Sequence, residues 1–272
     1  MPELPEVEHI CRWLDPQLAG LTISELWIHP GGERQLPQGA ELVTERLTNR
    51  RIARVTRRGK WVLCFLEDGG TLVIHLKMTG QLWPAHTADA GVPEYTRLSL
   101  QFIRGGRLDF VDIRRFGWLQ VWTPAERIRW LGTLGPEPVP CLPEPWAAGL
   151  KGRRTVKSAL LDQRVVAGIG NIYADEILFH CGIDPRRPLM RLSSEERLRL
   201  RESIERQMQA AVDEREGEPD QKRVGGGDRS VKALFNWRVF QRKGEPCVQC
   251  SGPIAYATVA QRGTYYCPRC QR

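Results

Sequence analysis

The 272-residue sequence lacks three features that would assign it to a broad class at once. It has no apolar run near the roughly 20 residues that cross a bilayer, no basic-then-apolar signal region at its N-terminus and no internal repeat. These absences argue against a membrane-spanning protein and a repeat protein, and we expect a soluble, cytoplasmic chain. Its length is enough for two or three small domains with cores of their own.

The sequence also lacks the evenly distributed cysteine pairs of a secreted disulfide framework. Half of its eight cysteines are scattered singly, at Cys11, Cys64, Cys141 and Cys181. The others are clustered near the C-terminus, as Cys247-x2-Cys250 and Cys267-x2-Cys270. Each Cys-x2-Cys turn presents two sulfurs to one ion, so this spacing predicts one tetrahedral structural zinc site. Four thiolates leave no open coordination position, which disfavours a zinc-hydroxide hydrolase.

Acidic residues are too few to balance the basic ones. Lys and Arg number 40 against 32 Asp and Glu, which gives a net charge of +8 and a pI near 9.3. The excess favours a polyanionic partner such as a nucleic acid. Charge alone leaves open the alternative of a protein that is merely basic.

The first 132 residues indicate a mainly β structure after an opening helix. Apolar residues recur at helical spacing from Val7 to Leu18. Two hairpins are predicted further on, because apolar runs flank Asp68-Gly69-Gly70 and again flank Gly105-Gly106. We therefore expect two packed antiparallel sheets in this half of the chain.

Five prolines between residues 134 and 146 indicate an extended linker and a domain boundary. Beyond it, Ser193-Ser-Glu-Glu196 is a capping-box signature that predicts the start of a helix. Apolar residues follow at helical spacing, at Leu200, Ile204, Met208 and Ala211. The charged, glycine-rich stretch 213–230 has no apolar periodicity, and we expect it to be a mobile surface segment ahead of the zinc module.

Chemistry is expected at the N-terminus, where Pro2 and Glu3 follow the initiator methionine. Removal of Met1 leaves a secondary amine that is uncharged in a sizeable fraction of molecules, because an α-amino group titrates near pKa ~8. Such an amine can attack an electrophilic sugar carbon and form an iminium, and the neighbouring carboxylic acid can supply a proton. In an arbitrary protein the same residues would be an ordinary exposed tail. A retained Met1 would block the amine.

Seven stretches, in order along nearly the whole chain, resemble the formamidopyrimidine-DNA glycosylase family of base-excision repair enzymes. They are Pro2 to Glu8, Arg57 to Lys60, His75 to Gly80, Asp112 to Gly117, Leu134 to Pro138, Asp162 to Glu176 and Arg242 to Cys270. The resemblance implies an α+β multidomain fold. It comprises an N-terminal β-sandwich catalytic domain (1–132), a proline-rich linker (133–148), a helix-two-turn-helix DNA-binding domain (149–230) and a C-terminal four-cysteine zinc finger (231–272).

The resemblance also implies an activity and the residues that perform it. The activity is that of a monomeric, bacterial, nucleoid-associated glycosylase and abasic-site lyase, which removes formamidopyrimidines, 8-oxoguanine and related bases through a proline Schiff base and cuts the strand by β,δ-elimination. The implied catalytic residues are Pro2 as nucleophile, Glu3 as general acid, Lys60 and Arg262. The implied DNA contacts are a wedge of Met78, Arg114 and Phe116, together with Arg97, Arg153, Lys157 and Asn171, and the implied zinc ligands are Cys247, Cys250, Cys267 and Cys270.

Several of these residues also have ordinary structural interpretations. Lys60, Arg153 and Lys157 are, by default, solvated charges, and a Met or a Phe near a strand end is more often part of a core. A DNA-binding paralogue without chemistry is a rival function, but Pro2, Glu3 and Lys60 are all present. An endonuclease VIII-like enzyme for oxidised pyrimidines is a nearer rival, and the opening Pro-Glu-Leu-Pro-Glu argues against it.

One segment departs from the family pattern. Members that recognise 8-oxoguanine usually carry a longer loop over the flipped base, whereas residues 226–241 are short and lack the usual Thr-rich opening and Gly-Tyr-Phe close. A shorter loop offers fewer backbone N–H groups to the base, and each lost partner costs about 1–3 kcal/mol of discrimination. We therefore expect weaker selectivity for 8-oxoguanine. The alternative is that the length of this loop matters little.

Overall fold

The computed structural model describes residues 1–87, 90–214 and 237–272. Over these ranges the chain forms two compact units, the first built on residues 1–133 and the second on residues 134–214 and 237–272. None of the helices in the described ranges is long and apolar enough to cross a membrane. The expected mobile segment 213–230 lies outside the described residues except for its first two positions, where Asp213 ends a helix.

The first unit opens with helix α1, Leu4–Leu18. Glu3 is its N-cap, and Pro5 in the first turn costs no hydrogen bond, because the N–H groups there have no partner within the helix. Its buried face includes Val7, Ile10 and Leu14, which recur at intervals of three and four residues. The predicted helix is confirmed, with its start three residues earlier than the apolar spacing indicated.

Eight strands follow in the first unit: β1 Ile23–Ile28, β2 Ile52–Arg58, β3 Trp61–Leu66, β4 Thr71–His75, β5 Gly80–Ala85, β6 Thr96–Phe102, β7 Arg107–Asp112 and β8 Trp118–Trp122. They form two four-stranded antiparallel sheets, ordered β1-β6-β7-β5 and β2-β3-β4-β8. The predicted hairpins are β3–β4 and β6–β7, and both are confirmed. Two short helices were not predicted, α2 Ala40–Leu47 and α3 Pro124–Leu131.

One hydrophobic core fills the first unit between α1 and the inward faces of both sheets. Leu72, Ile74 and Phe110 are among its almost fully buried side chains. Truncating one such leucine to alanine costs about 2–5 kcal/mol of the free energy of unfolding, because the cavity collapses only partly. This core fixes the strand ends from which the candidate functional loops project.

The second unit contains three helices, α4 Val156–Leu161, α5 Asn171–His180 and α6 Ser194–Asp213. Ser193 caps α6 and makes the reciprocal capping box with Glu196, as predicted. The apolar residues expected at helical spacing on α6 are all buried, namely Leu200, Ile204, Met208 and Ala211. A two-stranded hairpin, β9 Ala255–Val259 and β10 Arg262–Tyr266, lies in the C-terminal module.

The proline-rich stretch predicted as an extended linker begins at the boundary between the two units, and part of it packs within the second unit. Leu142 and Trp146 are buried, the Trp146 indole N–H donates to the Val165 carbonyl at 2.7 Å, and the Leu142 N–H donates to Glu205 at 2.8 Å. Proline content favours extended backbone, but the two apolar side chains gain more from burial in the second unit. The α+β architecture with a C-terminal cysteine module agrees with the predicted fold class.

Candidate functional site

In the first unit, the N-terminus is built around Glu3, whose side chain is 2% exposed. The Glu3 N–H donates to Glu6 Oε2 at 2.7 Å, and the Glu3 carbonyl accepts from Val7, which starts the hydrogen bonding of α1. Pro2 is buried beside it. Met1 is present in this structure, so the Pro2 nitrogen is in a peptide bond here and the terminal amine belongs to Met1.

The terminal amine lies among charged groups of both signs. Burial is the largest effect and lowers the pKa of the Met1 amine. Glu3 and Glu6 raise that pKa, while Lys60 and Arg114 lower it. An amine in this environment is biased toward the neutral, nucleophilic form. Glu3, Lys60 and Arg114 are therefore all close enough to the N-terminus to shift the pKa of its amine.

Lys60 occupies the two-residue turn between β2 and β3. Arg58 and Trp61 are paired across the hairpin, and Gly59 has a φ of 57°, which a glycine adopts without strain. The Lys60 side chain is only 7% exposed. Its alternative interpretation as a solvated charge on a strand edge is therefore wrong.

The sequence predicted no role for His75, which lies buried at the end of β4. Its Nδ1 accepts the Lys77 N–H at 3.0 Å. Burial lowers the pKa of His75 to about 3, and the positive charges of Lys77 and Lys60 add to the shift. The ring is therefore neutral at physiological pH. No spacing pattern in the sequence marks it, because its burial depends on packing against Trp61 and Trp118.

Two neighbouring loops of the first unit present exposed apolar side chains. Met78, in the β4–β5 loop, is 38% exposed, and Phe116, in the β7–β8 loop, is 52% exposed. Lys77 and Arg115 both have positive φ, of 51° and 57°. Such backbone strain in non-glycine residues clusters at functional sites. Ile113, for which the sequence predicted no role, is also exposed in the second loop.

Asp112 ties these two loops together. It is fully buried at the end of β7, and it accepts hydrogen bonds from the Thr79 hydroxyl, the Arg114 N–H and the Gly117 N–H. The Arg114 guanidinium lies 4.9 Å from the centre of the Phe116 ring, within the range of a cation–π contact. One carboxylate therefore fixes the Met78 loop and the Arg114–Phe116 loop in one arrangement.

Arg97 has a different place from the one predicted. It was expected to contact DNA, but it is 7% exposed, and its Nε donates to the Asp112 carbonyl at 3.0 Å. This burial and this backbone hydrogen bond do not favour a surface phosphate contact, so a contact of Arg97 with DNA stays a prediction. Its hydrogen bond to Asp112 supports the end of β7, from which the Arg114–Phe116 loop starts.

In the second unit, Asn171 is the first residue of α5 and follows a turn with Gly168 at a φ of 91°. Gln163 closes this turn by accepting the Gly168 N–H at 2.9 Å and donating to the Ile169 carbonyl at 2.8 Å. The Asn171 side-chain amide donates to the Gly263 carbonyl at 3.0 Å. The N-terminus of α5 has the backbone N–H groups and the dipole that favour an anion.

Lys157 is a second correction. It was expected beside DNA phosphates or as a solvated charge, yet its side chain is fully buried. Its ammonium lies 2.6 Å from Asp175 Oδ1 and 2.8 Å from the Thr264 hydroxyl. Burial raises the pKa of Asp175, and the Lys157 charge opposes that shift. Arg153, by contrast, is exposed as expected of a phosphate contact.

Arg262 is exposed next to the tip of the β9–β10 hairpin. The two tip residues, Ala260 and Gln261, have φ values of 50° and 59°. This is the conformation of a type I′ turn, which usually contains Asn and Gly. The turn places Arg262 at the start of β10, paired with Val259.

The four clustered cysteines fit a single zinc ion. Their sulfurs all lie within 4.8 Å of one another, with Cys247 and Cys270 3.8 Å apart and Cys250 and Cys267 3.5 Å apart. Tetrahedral bonds of about 2.3 Å to zinc require sulfurs about 3.8 Å apart. Among the described residues no other cluster of metal-binding side chains occurs. One structural zinc therefore belongs to this module.

Comparison with known proteins assigns most of the chain to one family. Residues 1–119 match the formamidopyrimidine-DNA glycosylase N-terminal domain, residues 134–221 its H2TH domain, and residues 244–272 a zinc finger found in FPG and IleRS. Formamidopyrimidine-DNA glycosylases of Geobacillus kaustophilus and Methylococcus capsulatus are 40% and 41% identical, over the whole of both chains in each case.

Solved structures of the Lactococcus lactis enzyme have the same fold. One is a complex with DNA that contains an abasic site, and another is a complex with DNA that contains an oxidised pyrimidine. Each has a TM-score of 0.87 at 30% sequence identity and covers 99% or more of both chains. The chain described here therefore belongs to the formamidopyrimidine-DNA glycosylase family.

Proposed function

We propose that this protein is a DNA glycosylase of base excision repair that excises oxidised bases and then cuts the strand as an abasic-site lyase. The observation that carries the proposal is the geometry of the N-terminus, where Pro2 is buried beside a buried Glu3 and the terminal amine, here that of Met1, is close enough to Glu3 and the buried Lys60 for both to shift its pKa. Double-stranded DNA with a damaged base or an abasic site is the proposed partner. The basic charge of the chain and the DNA complexes of its relatives support this.

The reaction begins once Met1 has been removed. The Pro2 nitrogen attacks C1′ of the flipped nucleotide, the N-glycosidic bond breaks, and the base leaves with the bonding electrons and takes up the proton that the Pro2 nitrogen loses. Glu3 donates a proton to the ring oxygen, so that the sugar opens and an iminium joins Pro2 to C1′. Loss of a proton from C2′ then expels the 3′ phosphate, and a second elimination expels the 5′ phosphate.

The other residues act on the DNA around this centre. Lys60 is a buried cation that can hold a phosphate or assist elimination. Flipping the nucleotide out of the stack costs a few kcal/mol. Met78 and Phe116 fill the gap that it leaves, and Arg114 faces the base left without a partner. Asn171 and Arg262 are assigned to the backbone phosphates, Arg262 at the late elimination step.

The zinc ion supplies no chemistry in this scheme. Four thiolate ligands leave it closed to water and substrate, and its role is to hold the hairpin that carries Arg262. Residues 1–132, 133–148, 149–230 and 231–272 remain the proposed domains. The chain is proposed to act as a monomer in the bacterial cytoplasm, at the nucleoid where its substrate lies.

Borohydride trapping on a duplex with one abasic site tests the proposal. The expected result is a covalent protein–DNA complex, because the iminium at Pro2 is reducible. The control is a protein that retains one extra residue before Pro2, which removes the secondary amine but leaves every other side chain in place. Equal trapping by the blocked protein would assign the chemistry to a lysine. Absence of trapping by the mature protein would favour the non-catalytic paralogue.

Lesion preference is a separate question. The stretch 226–241 that motivates weak 8-oxoguanine selectivity lies outside the described residues up to position 236, so the expectation rests on the sequence alone. Single-turnover excision rates on matched duplexes decide it. We expect formamidopyrimidines, further-oxidised guanines or oxidised pyrimidines to be excised at least as fast as 8-oxoguanine. A strong preference for 8-oxoguanine opposite cytosine would overturn this expectation.

A further inference from the structure

A buried ion pair connects three elements of the second unit. Lys157 of α4 and Asp175 of α5 have fully buried side chains and meet at 2.6 Å. Thr264 of β10 is also fully buried and lies 2.8 Å from the Lys157 ammonium. Burying such a pair gains little net stability over well-packed apolar side chains, because desolvation offsets the attraction. Stability alone therefore does not account for it.

The pair clamps the start of strand β10. The Lys157 ammonium donates to the Thr264 hydroxyl and, at 3.1 Å, to the Gly263 carbonyl. The second oxygen of Asp175 accepts the Tyr265 N–H at 2.9 Å. Three consecutive residues of the strand, 263 to 265, are thus hydrogen-bonded to two helices through one ion pair.

These contacts lead to two residues that are assigned to DNA. The Thr264 hydroxyl, held by Lys157, donates to the Arg262 carbonyl at 3.0 Å. The Asn171 side chain donates to the Gly263 carbonyl, which is the acceptor that Lys157 also uses. Gly263 and Thr264 of β10 therefore hold the backbone of Arg262 and the side chain of Asn171 in one relative position.

We propose that Lys157 and Asp175 are positioning residues, which align Arg262 and Asn171 on the phosphates of the lesion strand without touching DNA themselves. The inference rests on the proposed function, since it assigns these residues a role in strand cleavage. A shift of about 1 Å in a group that contacts the reacting centre can cost about 100-fold in rate. Loss of the clamp should therefore slow strand cleavage through Arg262.

The test is a double-mutant cycle on the full-length zinc-loaded protein, with Lys157→Met, Arg262→Ala and the double variant. The substrate is a duplex with a preformed abasic site, so that base release is bypassed and single-turnover strand cleavage is measured. We expect Lys157→Met to slow cleavage about tenfold or more in the unsubstituted background and clearly less in the Arg262→Ala background, where only the effect through Asn171 remains. Lys151→Met removes an exposed lysine of the same unit and should leave the rate unchanged.

Zinc content and circular dichroism show whether each variant is folded. If Lys157→Met loses zinc, Thr264→Val takes its place in the cycle, because it keeps the shape of the side chain and removes the hydroxyl that links Lys157 to Arg262. Additive effects of the position 157 (or 264) and position 262 substitutions, or wild-type cleavage by the single variant, would overturn the inference. Failure of the unsubstituted protein to cleave abasic DNA would instead refute the proposed function.

Discussion

Glu3 and Lys60 are ionisable residues that are almost fully buried, at 2% and 7% exposed. Glu3 is fixed by its position at the first turn of α1, and Lys60 by a two-residue hairpin turn. Neither placement requires a long loop, so both side chains belong to rigid elements. Side chains on such short, regular elements are held more precisely than side chains on long loops.

Glu3→Gln is expected to reduce release of a damaged base by about 100-fold or more, because a positioned proton donor contributes roughly 10²–10⁴ in rate. Gln has nearly the same shape, so affinity for abasic DNA should be preserved. Single-turnover base release and equilibrium binding are the two measurements. Glu41→Gln, an exposed change in the same unit, is the matched control. Unchanged base release would remove Glu3 from the mechanism.

His75 predicts an acid sensitivity of the folded chain. Its pKa is about 3 in the folded state, against an ordinary value of 6.5 for histidine, so the unfolded state binds more protons between these limits. Its contribution to stability is therefore fully present above pH 6.5 and is lost as the pH falls toward 3, by up to about 1.4 kcal/mol per pH unit.

Replacing His75 should reduce the loss of the free energy of unfolding as the pH falls from 6.5 toward 3. His75→Gln keeps an acceptor for the Lys77 N–H but cannot be protonated. Urea unfolding from pH 7 to pH 4, followed by tryptophan fluorescence, should show a smaller loss of stability than in the unsubstituted protein. His86→Gln, at an exposed position, is the control. Parallel curves for the His75 variant and the unsubstituted protein would show that His75 does not cause the effect.

At the scale of elements, the candidate wedge consists of two loops that share one carboxylate. Asp112 accepts from residues of both loops, and Arg97 supports the same strand end through the backbone. Met78 and Phe116 are exposed on these loops. Hydrogen bonds to Asp112 hold the two loops next to the strands from which they start. A wedge of this design keeps its shape before DNA is bound.

Asp112→Asn should loosen both loops. One carboxylate oxygen becomes an NH2 group that cannot accept a backbone N–H, at a cost of about 1–3 kcal/mol in the free energy of unfolding. Affinity for abasic DNA relative to undamaged duplex should fall several-fold. Asp109→Asn, also on β7 and buried against Arg107, should cost similar stability without changing that ratio. If the ratio of the affinities for abasic and undamaged DNA changed equally in both variants, Asp112 would have no role of its own in recognising the lesion.

The zinc module depends on its ion for folding. Structural zinc supplies roughly 10–16 kcal/mol in isolated fingers, so Cys250→Ser is expected to lose the metal and DNA binding while the first unit stays folded. Metal analysis, near-UV circular dichroism and DNA binding check the three parts. Cys141→Ser, at an exposed single cysteine, is the control. Active protein without zinc would contradict the prediction.

At the scale of the whole molecule, the net charge of +8 should make DNA binding strongly dependent on salt. Each phosphate contact contributes about −0.9 to the slope of log K against log salt concentration. Arg153→Gln should reduce the magnitude of the slope by about one and weaken binding to all sequences alike. Arg104→Gln, at an exposed hairpin turn in the first unit, serves as comparison. An unchanged slope for the Arg153 variant would exclude it from the phosphate contacts.

Local patterns in the sequence predicted much of this architecture. The hairpins β3–β4 and β6–β7, the cap of α6 at Ser193 and the zinc cluster each depend on residues close together in the chain. Turn glycines, a capping serine and paired cysteines therefore identify such structures without tertiary information. Helices α2 and α3 were missed because each is only eight residues long and offers few turns of apolar spacing.

The sequence by itself determined the family, the fold class, the zinc ligands and the residue types of the candidate site. Only the tertiary structure decided which charges are buried. Lys157 and Arg97 were predicted to contact DNA and His75 had no predicted role, yet each is buried by groups from distant parts of the chain, such as Thr264 for Lys157 and Trp118 for His75. The physical reason is that desolvation and hydrogen bonding depend on contacts between elements, which no local spacing encodes.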